Sequence, residues 1–577
     1  MKLIDCESPT FKVVPAPTNA RYAALSYVWG DMVDSQDIEA LGGSRNMSIS
    51  LTVKDAIVAT RGLGLRYLWC DKYCINQDNA AEKYDQIMNM DAIYEASQIT
   101  IIAAAGQDAD AGLPGVSNTP RNSQPVIDLG NVKLVYSMAS PQDVIKQSKW
   151  FTRGWTLQEA ILPNRRLVFT DDQIYFECNA FLFQETIQTN LPLLRRSRDL
   201  QRCLIPGMFS GEIFVKQKSP LIQPPSILNI EHAWLTIEIH FSRLLNLIEQ
   251  FSSRDLTKDD DSLSAFSGIM NHFAKLNEKS DEARSLGLQS VILDIKGIPF
   301  IPVHSVLKSN LSSFLLDRNA STDDISDIRP NSSSEIFILS LNWFHTWTSG
   351  SDFPYPRRRK WERGICPSWS WAAWAGEVTF LDKKTVLKTH PKHRDKGSVD
   401  LETRRFEYIA EPLLECDNSR LLAPADTCKE FSPRSSLSQP HILRLLTRVL
   451  RPTQDSQIHI DDVGNLTVQF GGHRLDGNIY MSKAFDDGVF ERMWIDGKCE
   501  LVILQISTQI NTQGGLTVMV VQHYQPLAER VGLAWLHLTA RDEVQQSTQN
   551  LQSEAKQSER WKSFLDDCTE KRTIRIG

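Results

Sequence analysis

The chain has 577 residues; single cores stop growing at ~250–300 residues, so at least two domains are expected. With 41% hydrophobic and 23% charged residues, the composition is that of an ordinary globular protein and excludes a fibrous or largely disordered chain. The formal charge of -7 argues against nonspecific nucleic-acid binding, which depends on neutralising phosphates.

Asp5 and Glu7 stand where a signal peptide would need its apolar region. The most apolar stretch, 99–105, is too short to span a bilayer. Together these predict a cytoplasmic protein with no membrane association. The 10 cysteines lack the dense spacing of a secreted disulfide framework, so reduced thiols are expected. Cys70 and Cys74 are the closest pair, but without a second pair they do not make a zinc site, and no metal or cofactor is expected.

From Tyr22 to Cys178 short apolar runs alternate with helix-like segments, the pattern of an α/β domain with a mainly parallel sheet flanked by helices. Tyr22 to Trp29 reads as a buried strand stopped by Gly30-Asp31. Ser50 to Thr60 reads as a helix capped by Ser50 or Thr52, with Val53, Ala56 and Ile57 on one stripe and Gly62 and Gly64 ending it. Tyr67 to Cys70 is the next strand. A long helix then starts near Asp78 or Asn79, with Glu82 placed as capping-box partner of Asn79, and Ile99 to Ala104 follows as a third strand. Trp150 to Leu162 predicts one more helix, with Gly154, Leu157 and Ile161 on the side of Trp150 and with Trp155, Gln158 and Glu159 on the other. Arg166–Phe169 and Ile174–Cys178 close the pattern as a strand pair.

Beyond this, 231–276 reads as helical, and strands are expected near 336–343, 364–380, 465–470, 501–507 and 516–523, an α+β mixture. The stretches 309–334, 383–400 and 416–439 are polar and read as loops. The division expected is therefore 1–180 for the α/β domain, 181–290 for a mainly helical connection, 291–540 for an α+β region and 541–577 for a polar tail.

No histidine precedes His232, so the N-terminal domain has no Ser-His-Asp or Cys-His machinery of its own. Neither a phosphate-loop nor a dinucleotide fingerprint is present. His390 and His393 sit in a Lys-rich stretch and read as solvated. What the domain does carry is a set of polar residues following strand ends, and sheets of this kind bind ligands beyond the carboxyl ends of their strands. Asp71, Glu82 and Glu159 are the candidate catalytic carboxylates. Trp29, Asp31, Asn76, Gln77, Arg153, Trp155 and Gln158 are the candidate binding residues. Each also has a plain structural role open to it: Asp71 and Asn76 could satisfy a turn, Glu82 could cap a helix, and Arg153 could pair with Glu159. Trp369 and Trp371 could form an aromatic platform if Pro367 to Trp374 is a strand, although core packing is the commoner use of such rings. Arg357 to Lys360 could be a nuclear address or a phosphate contact, or a solvated basic run.

Three blocks, Tyr22 to Asp31, Leu68 to Asp78 and Arg153 to Glu159, resemble in order the signature blocks of the heterokaryon incompatibility (HET) domain of filamentous fungi. Phe251 to Thr257, Ala265 to Ile269 and the Pro367 to Trp374 run resemble segments that often follow it. The resemblance implies a role in nonself recognition and programmed cell death after hyphal fusion, a form of fungal innate immunity. It implies a signalling or assembly module with protein partners or self-association. The HET domain is also remotely similar to TIR domains, some of which cleave NAD with a catalytic glutamate, which implies the alternative of a nucleotide hydrolase with Glu82 or Glu159 at its centre and a nucleotide as ligand.

Overall fold

The computed structural model describes residues 1–30, 49–136, 138–179, 182–186, 208–209, 227–275, 292–300, 333–346, 356–361, 366–381, 405–416, 419–430, 440–450, 456–461, 464–470, 473–483, 488–508, 515–539 and 554–577. They divide into two compact units: 1–223 with 254–257 and 264–272, and 224–253 with 258–263 and 273–577.

In the first unit the elements run β1 (Lys2–Asp5), β2 (Val13–Pro15), β3 (Tyr22–Ser26), α1 (Leu51–Gly62), β4 (Tyr67–Trp69), α2 (Asp71–Cys74), α3 (Ala80–Met88), α4 (Met90–Ala96) and β5 (Ile99–Ala103). They continue with β6 (Val126–Asp128), β7 (Lys133–Val135), α5 (Pro141–Gln147), α6 (Trp155–Ile161), β8 (Arg165–Phe169), β9 (Ile174–Cys178) and β10 (Leu182–Gln184). Two later helices are α7 (Ile227–Ser252), in the second unit, and α8 (Ser264–Lys275), most of which returns to the first.

Eight strands form one sheet in the order β10-β9-β8-β5-β3-β4-β1-β2. Its centre is parallel, β3 pairing with β4 and β5, and β5 with β8. The flanks are antiparallel, through β1, β2, β9 and β10, so the sheet is mixed rather than mainly parallel. The reason lies at the edges, where the short turn at Asp171-Asp172 returns β9 against β8 as a hairpin, which parallel pairing does not allow. The two central strands, β3 and β5, are buried along their whole length, as strands covered on both faces must be. Alternation then sends Ile101 and its neighbour Ile102 into two separate apolar clusters.

Several local expectations change. The long helix is two, broken at Asn89, whose side chain turns back to donate to the Asp85 carbonyl at 2.6 Å. Helix α6 begins only at Trp155, because the Gly154 N–H is taken by the Asp255 carbonyl at 2.7 Å and the residues from Trp150 stay in turns. Gly30 ends the first block at φ +81, where a Cβ would sit 3.0 Å from that of Asp108.

The second unit holds an 11-stranded sheet, nearly all antiparallel. The expected strand at 336–343 is instead the helix Ser333–Ser340 followed by the strand Trp343–His345. A continuous apolar run that is buried all round carries no period to separate the two. Pro367 to Trp374 is likewise not a strand but turns around a 3₁₀ segment, Trp371–Ala373. Trp369, Trp371 and Trp374 are buried, and their indole N–H groups donate to the carbonyls of His441, Gly297 and Ser368. They are core residues, not a ligand platform. Arg530, fully buried, stacks 3.6 Å from the Trp343 ring centre and donates to the Leu341 and Trp343 carbonyls. The basic run is folded in as well: Arg357 and Arg359 bond Asp259, and Arg358 bonds Glu529. Within the stretch read as a loop at 416–439, Pro424–Glu430 is helical, and the segment read as a polar tail holds the helix Glu554–Cys568 and a sheet strand, Thr569–Ile576. His390 and His393 and the stretch 383–400 lie outside the described residues.

Glu415 ties three strands of this sheet together, accepting from Arg444 Nε at 2.7 Å and from Arg575 Nε and Nη2 at 3.0 and 2.8 Å. The hydrogen bonds from Arg444 and Arg575 pull its carboxyl down to about 2. A depressed carboxylate stabilises the fold above its unfolded value, and that stabilisation is lost as pH falls through the folded value. Denaturant titrations of wild type and Glu415→Gln should therefore differ most above about pH 4.5 and converge toward about pH 2; a gap independent of pH would contradict the assignment.

Candidate active site

The four parallel strands lie in the order β8-β5-β3-β4, so the chain winds one way from β3 to β4 and the other way from β3 to β5 and β8. Ligands of such sheets bind outside the carboxyl ends, where the order reverses. Ser26 is the last residue of β3 and pairs with Ile102 of β5, which places it at that reversal.

Glu159 comes to the same point from α6, its Oε2 accepting from the Ser26 hydroxyl at 2.5 Å. Ser26 Oγ in turn accepts from Trp150 Nε1 at 2.7 Å. Tyr94, buried on α4, donates its hydroxyl to the Leu25 carbonyl at 3.3 Å and helps lower the Glu159 carboxyl. Asp71, immediately after β4, accepts from Trp29 Nε1 at 3.2 Å and from the Lys72 N–H at 2.7 Å. Arg153 Nη1 donates to the Tyr27 carbonyl at 3.2 Å, and its charge acts on both Asp71 and Glu159.

These contacts set the electrostatics. Glu159 is only 5% exposed. Burial, and next the negative charge of Asp71, push its carboxyl up to about 7 against the opposing pull of Ser26, Arg153 and Tyr94. Burial likewise raises Asp71 to about 6, opposed by Lys72 N–H, Trp29 and Arg153. Both carboxyls are thus pushed up toward neutrality, the range in which an acid or base works.

The other candidates divide. Trp29 and Arg153 join Asp71 and Glu159. Glu82 does not share their partners: it takes a hydrogen bond from Asn76 Nδ2 at 3.2 Å and pairs with Lys2 Nζ at 3.2 Å near the surface. The Asn79 cap forms, bonding the Ala81 and Glu82 N–H groups, but Glu82 turns to Lys2 and Asn76 instead of completing a capping box. Gln77 is exposed and donates to the Asp71 backbone carbonyl at 3.3 Å, a turn contact. Trp155 packs, partly buried, against the larger apolar cluster. Gln158 does not lie on a polar face, since residues 156–161 are all buried; at 1% exposure it faces Gly268 of α8, where a Cβ would sit 2.4 Å from its Oε1. Asp31 lies outside the described residues. Cys70 and Cys74 are buried, with Cys74 Sγ 3.3 Å from the Cys70 N–H, and no group of three or more metal-ligating side chains occurs among the described residues.

Sequence reasoning missed Ser26 and Tyr94. Ser26 had one visible mark, a hydroxyl at the end of an otherwise apolar strand. Tyr94 stands among apolar residues of its helix, and its ring lies in the larger apolar cluster.

The first unit is therefore an α/β module with two carboxylates at its switch point, Glu159 buried and Asp71 partly so. Residues 22–159 match the family model described as Heterokaryon incompatibility protein (HET). Among curated proteins the chain is similar to Vegetative incompatibility protein HET-E-1 of Podospora anserina, 27% identical over 159 residues. That alignment covers 26% of this chain and 10% of the relative, so the chain spans about a tenth of its length. No solved structure matches.

Both carboxylates have folded values above their unfolded ones, so their contribution to stability is complete at low pH and is lost as pH rises through about 6 and about 7. Glu159→Gln removes that loss. Its stability relative to wild type should grow between about pH 5 and about pH 8 by on the order of 2 kcal/mol. Thermal or urea unfolding at the two pH values measures it, and an unchanged difference would refute the burial of a titrating Glu159.

Proposed function

We propose that this chain is an allorecognition protein of the heterokaryon incompatibility type, acting in the cytoplasm, whose N-terminal module triggers growth arrest or cell death. The HET match and the distant incompatibility relative support the role. Among the described residues no helix is long and apolar enough to cross a membrane. The observation that carries a mechanism is the pairing of buried Glu159 with partly buried Asp71. It favours nucleotide hydrolysis of the NAD type, the TIR-like reading, over pure assembly. With one carboxyl protonated and the other ionised, the pair can stabilise positive charge on a ribose carbon while the N-glycosidic bond breaks. The base leaves with the bonding electrons, and water adds its oxygen to that carbon as the ionised carboxylate takes its proton.

A second reading, a signalling module that works by self-association, has its own support. The β6–β7 hairpin leaves Val126, Ile127, Leu129, Val132, Leu134, Val135 and Tyr136 each more than half exposed. Alternation puts Val126 with Val135 on one face of the hairpin and Ile127 with Leu134 on the other, an exposed apolar element of the kind that marks interaction surfaces.

Inducible expression of the full chain in a fungal host, with growth and cellular NAD followed together, separates the readings. Under hydrolysis, NAD falls with arrest, Glu159→Gln reduces both by at least about 100-fold, and Glu82→Gln, altering only a surface pair, leaves both intact. Arrest at constant NAD that Leu134→Asp abolishes would overturn hydrolysis and leave assembly.

A further inference from the structure

Arg254 lies beyond the family-matched residues, in a segment that returns to the first unit between stretches of the second. It is 5% exposed. Its guanidinium stacks 4.1 Å from the Phe151 ring centre, and Nη1 donates to the Arg153 carbonyl at 3.2 Å and to Thr156 Oγ1 at 3.1 Å. Nε and Nη2 are buried and make no hydrogen bond. The backbone beside it is stitched to the entry of α6, since Asp255 N–H donates to the Thr152 carbonyl at 2.6 Å and Gly154 N–H to the Asp255 carbonyl at 2.7 Å.

A buried cation needs a reason. The helix dipole offers none, because an N-terminus favours negative charge and disfavours a cation. No hydrogen-bonded carboxylate neutralises it. Glu159 is the anion whose charge acts on it. An uncompensated ion inside a protein costs several kcal/mol, whereas two opposite ones in the same low-dielectric region offset each other.

We propose that Arg254 is a positioning residue of the carboxylate site: from outside the family-matched stretch it fixes the entry of the helix bearing Glu159 and supplies the positive charge that balances it. The assignment rests on the reading of Asp71 and Glu159 as the working pair. Among the described residues, the groups that act on Glu159 include Ser26 from β3, Asp71 after β4, Tyr94 from α4 and Arg153 before α6, and Glu159 in turn acts on Arg254. Only the two arginines carry positive charge, and Arg153 is shared with Asp71. The chain matching the family model would thus be incomplete as a working unit without residues 254–257.

The test uses the full chain and reads Glu159 directly. The carboxylic C=O infrared band that Glu159→Gln removes is followed against pH in wild type, Arg254→Lys and Arg254→Met. In wild type the band should disappear near neutral pH. In Arg254→Met the midpoint should rise by about one pH unit or more, and in Arg254→Lys, which keeps the charge, it should stay close to wild type. A folded Arg254→Met with an unchanged midpoint would overturn the proposal and leave Arg254 a packing residue. Should Arg254→Met fail to fold, the double variant with Glu159→Gln decides: recovery of folding on removing both charges supports the coupling, and continued failure overturns it. These readouts do not depend on cell death. If arrest survives Glu159→Gln while the midpoint still moves, the functional reading has failed and the positioning role stands.

Discussion

A carboxylate held out of water is the constraint to which the N-terminal unit is fitted. Glu159 meets the Ser26 hydroxyl across 133 residues of sequence, and stripping a carboxylate of its hydration costs several kcal/mol unless the protein replaces it. The replacements come from every side: an indole passing its hydrogen bond through Ser26, a phenol from α4, a guanidinium from the turn before α6 and a second one from a returning segment. They come from β3, from α4, from the turn before α6 and from the returning segment, so the site exists only when the sheet, those two helices and the later segment are all in place.

The helix carrying Glu159 is short, seven residues, and is held at both ends by buried arginines. Arg166, fully buried, donates Nη2 to the Ile161 carbonyl at 2.7 Å and Nε to that of Ala160, satisfying the last turn where a cation suits the dipole. Arg254 sits at the opposite end, against the dipole. The asymmetry is informative, because the first arginine caps the helix and has the buried Glu177 carboxylate 3.9 Å away, whereas among the described residues no carboxylate is hydrogen-bonded to the second. Close packing does the rest along the helix: Gly268 lets α8 approach Gln158, Asp91 and Leu162 to distances that a side chain would prevent.

How much of this could be read from residues alone follows from the range of the forces involved. Strands at 22–26, 67–69, 99–103, 165–169 and 174–178 were legible because apolar runs and turn residues are local signals. The Asn79 cap was legible for the same reason. The meeting of Asp71 with Trp29 was legible through one topological rule, that polar residues after parallel strands share an edge, and Arg153 and Glu159 were brought to that edge from the later helix. What failed was whatever a distant partner decides. Nothing near Trp150 shows that Asp255 will take the Gly154 N–H and delay the helix. Nothing near Ser333 to Ser340 separates a buried helix from a buried strand. Gln158, read as a binding residue, is instead buried against Gly268, a partner more than a hundred residues away.

Glu82 and Glu159 illustrate the same point chemically. As residues they are identical, and both stand on helices expected to reach the strand-end edge, so sequence offers no way to rank them. The structure gives them opposite surroundings: Glu82 lies at the surface, its carboxyl lowered by Asn76 and then Lys2, whereas Glu159 is sealed in and raised to about 7 by burial and by Asp71. An acid held well below neutrality stays ionised and can only attract. An acid near 7 can give a proton and take it back, and a second carboxylate beside it makes the exchange depend on whichever group approaches the pair. Reactivity here is a property of the enclosure rather than of the glutamate, which is why the residues that build the enclosure, Ser26, Tyr94 and Arg254 among them, matter as much as the carboxylates they surround.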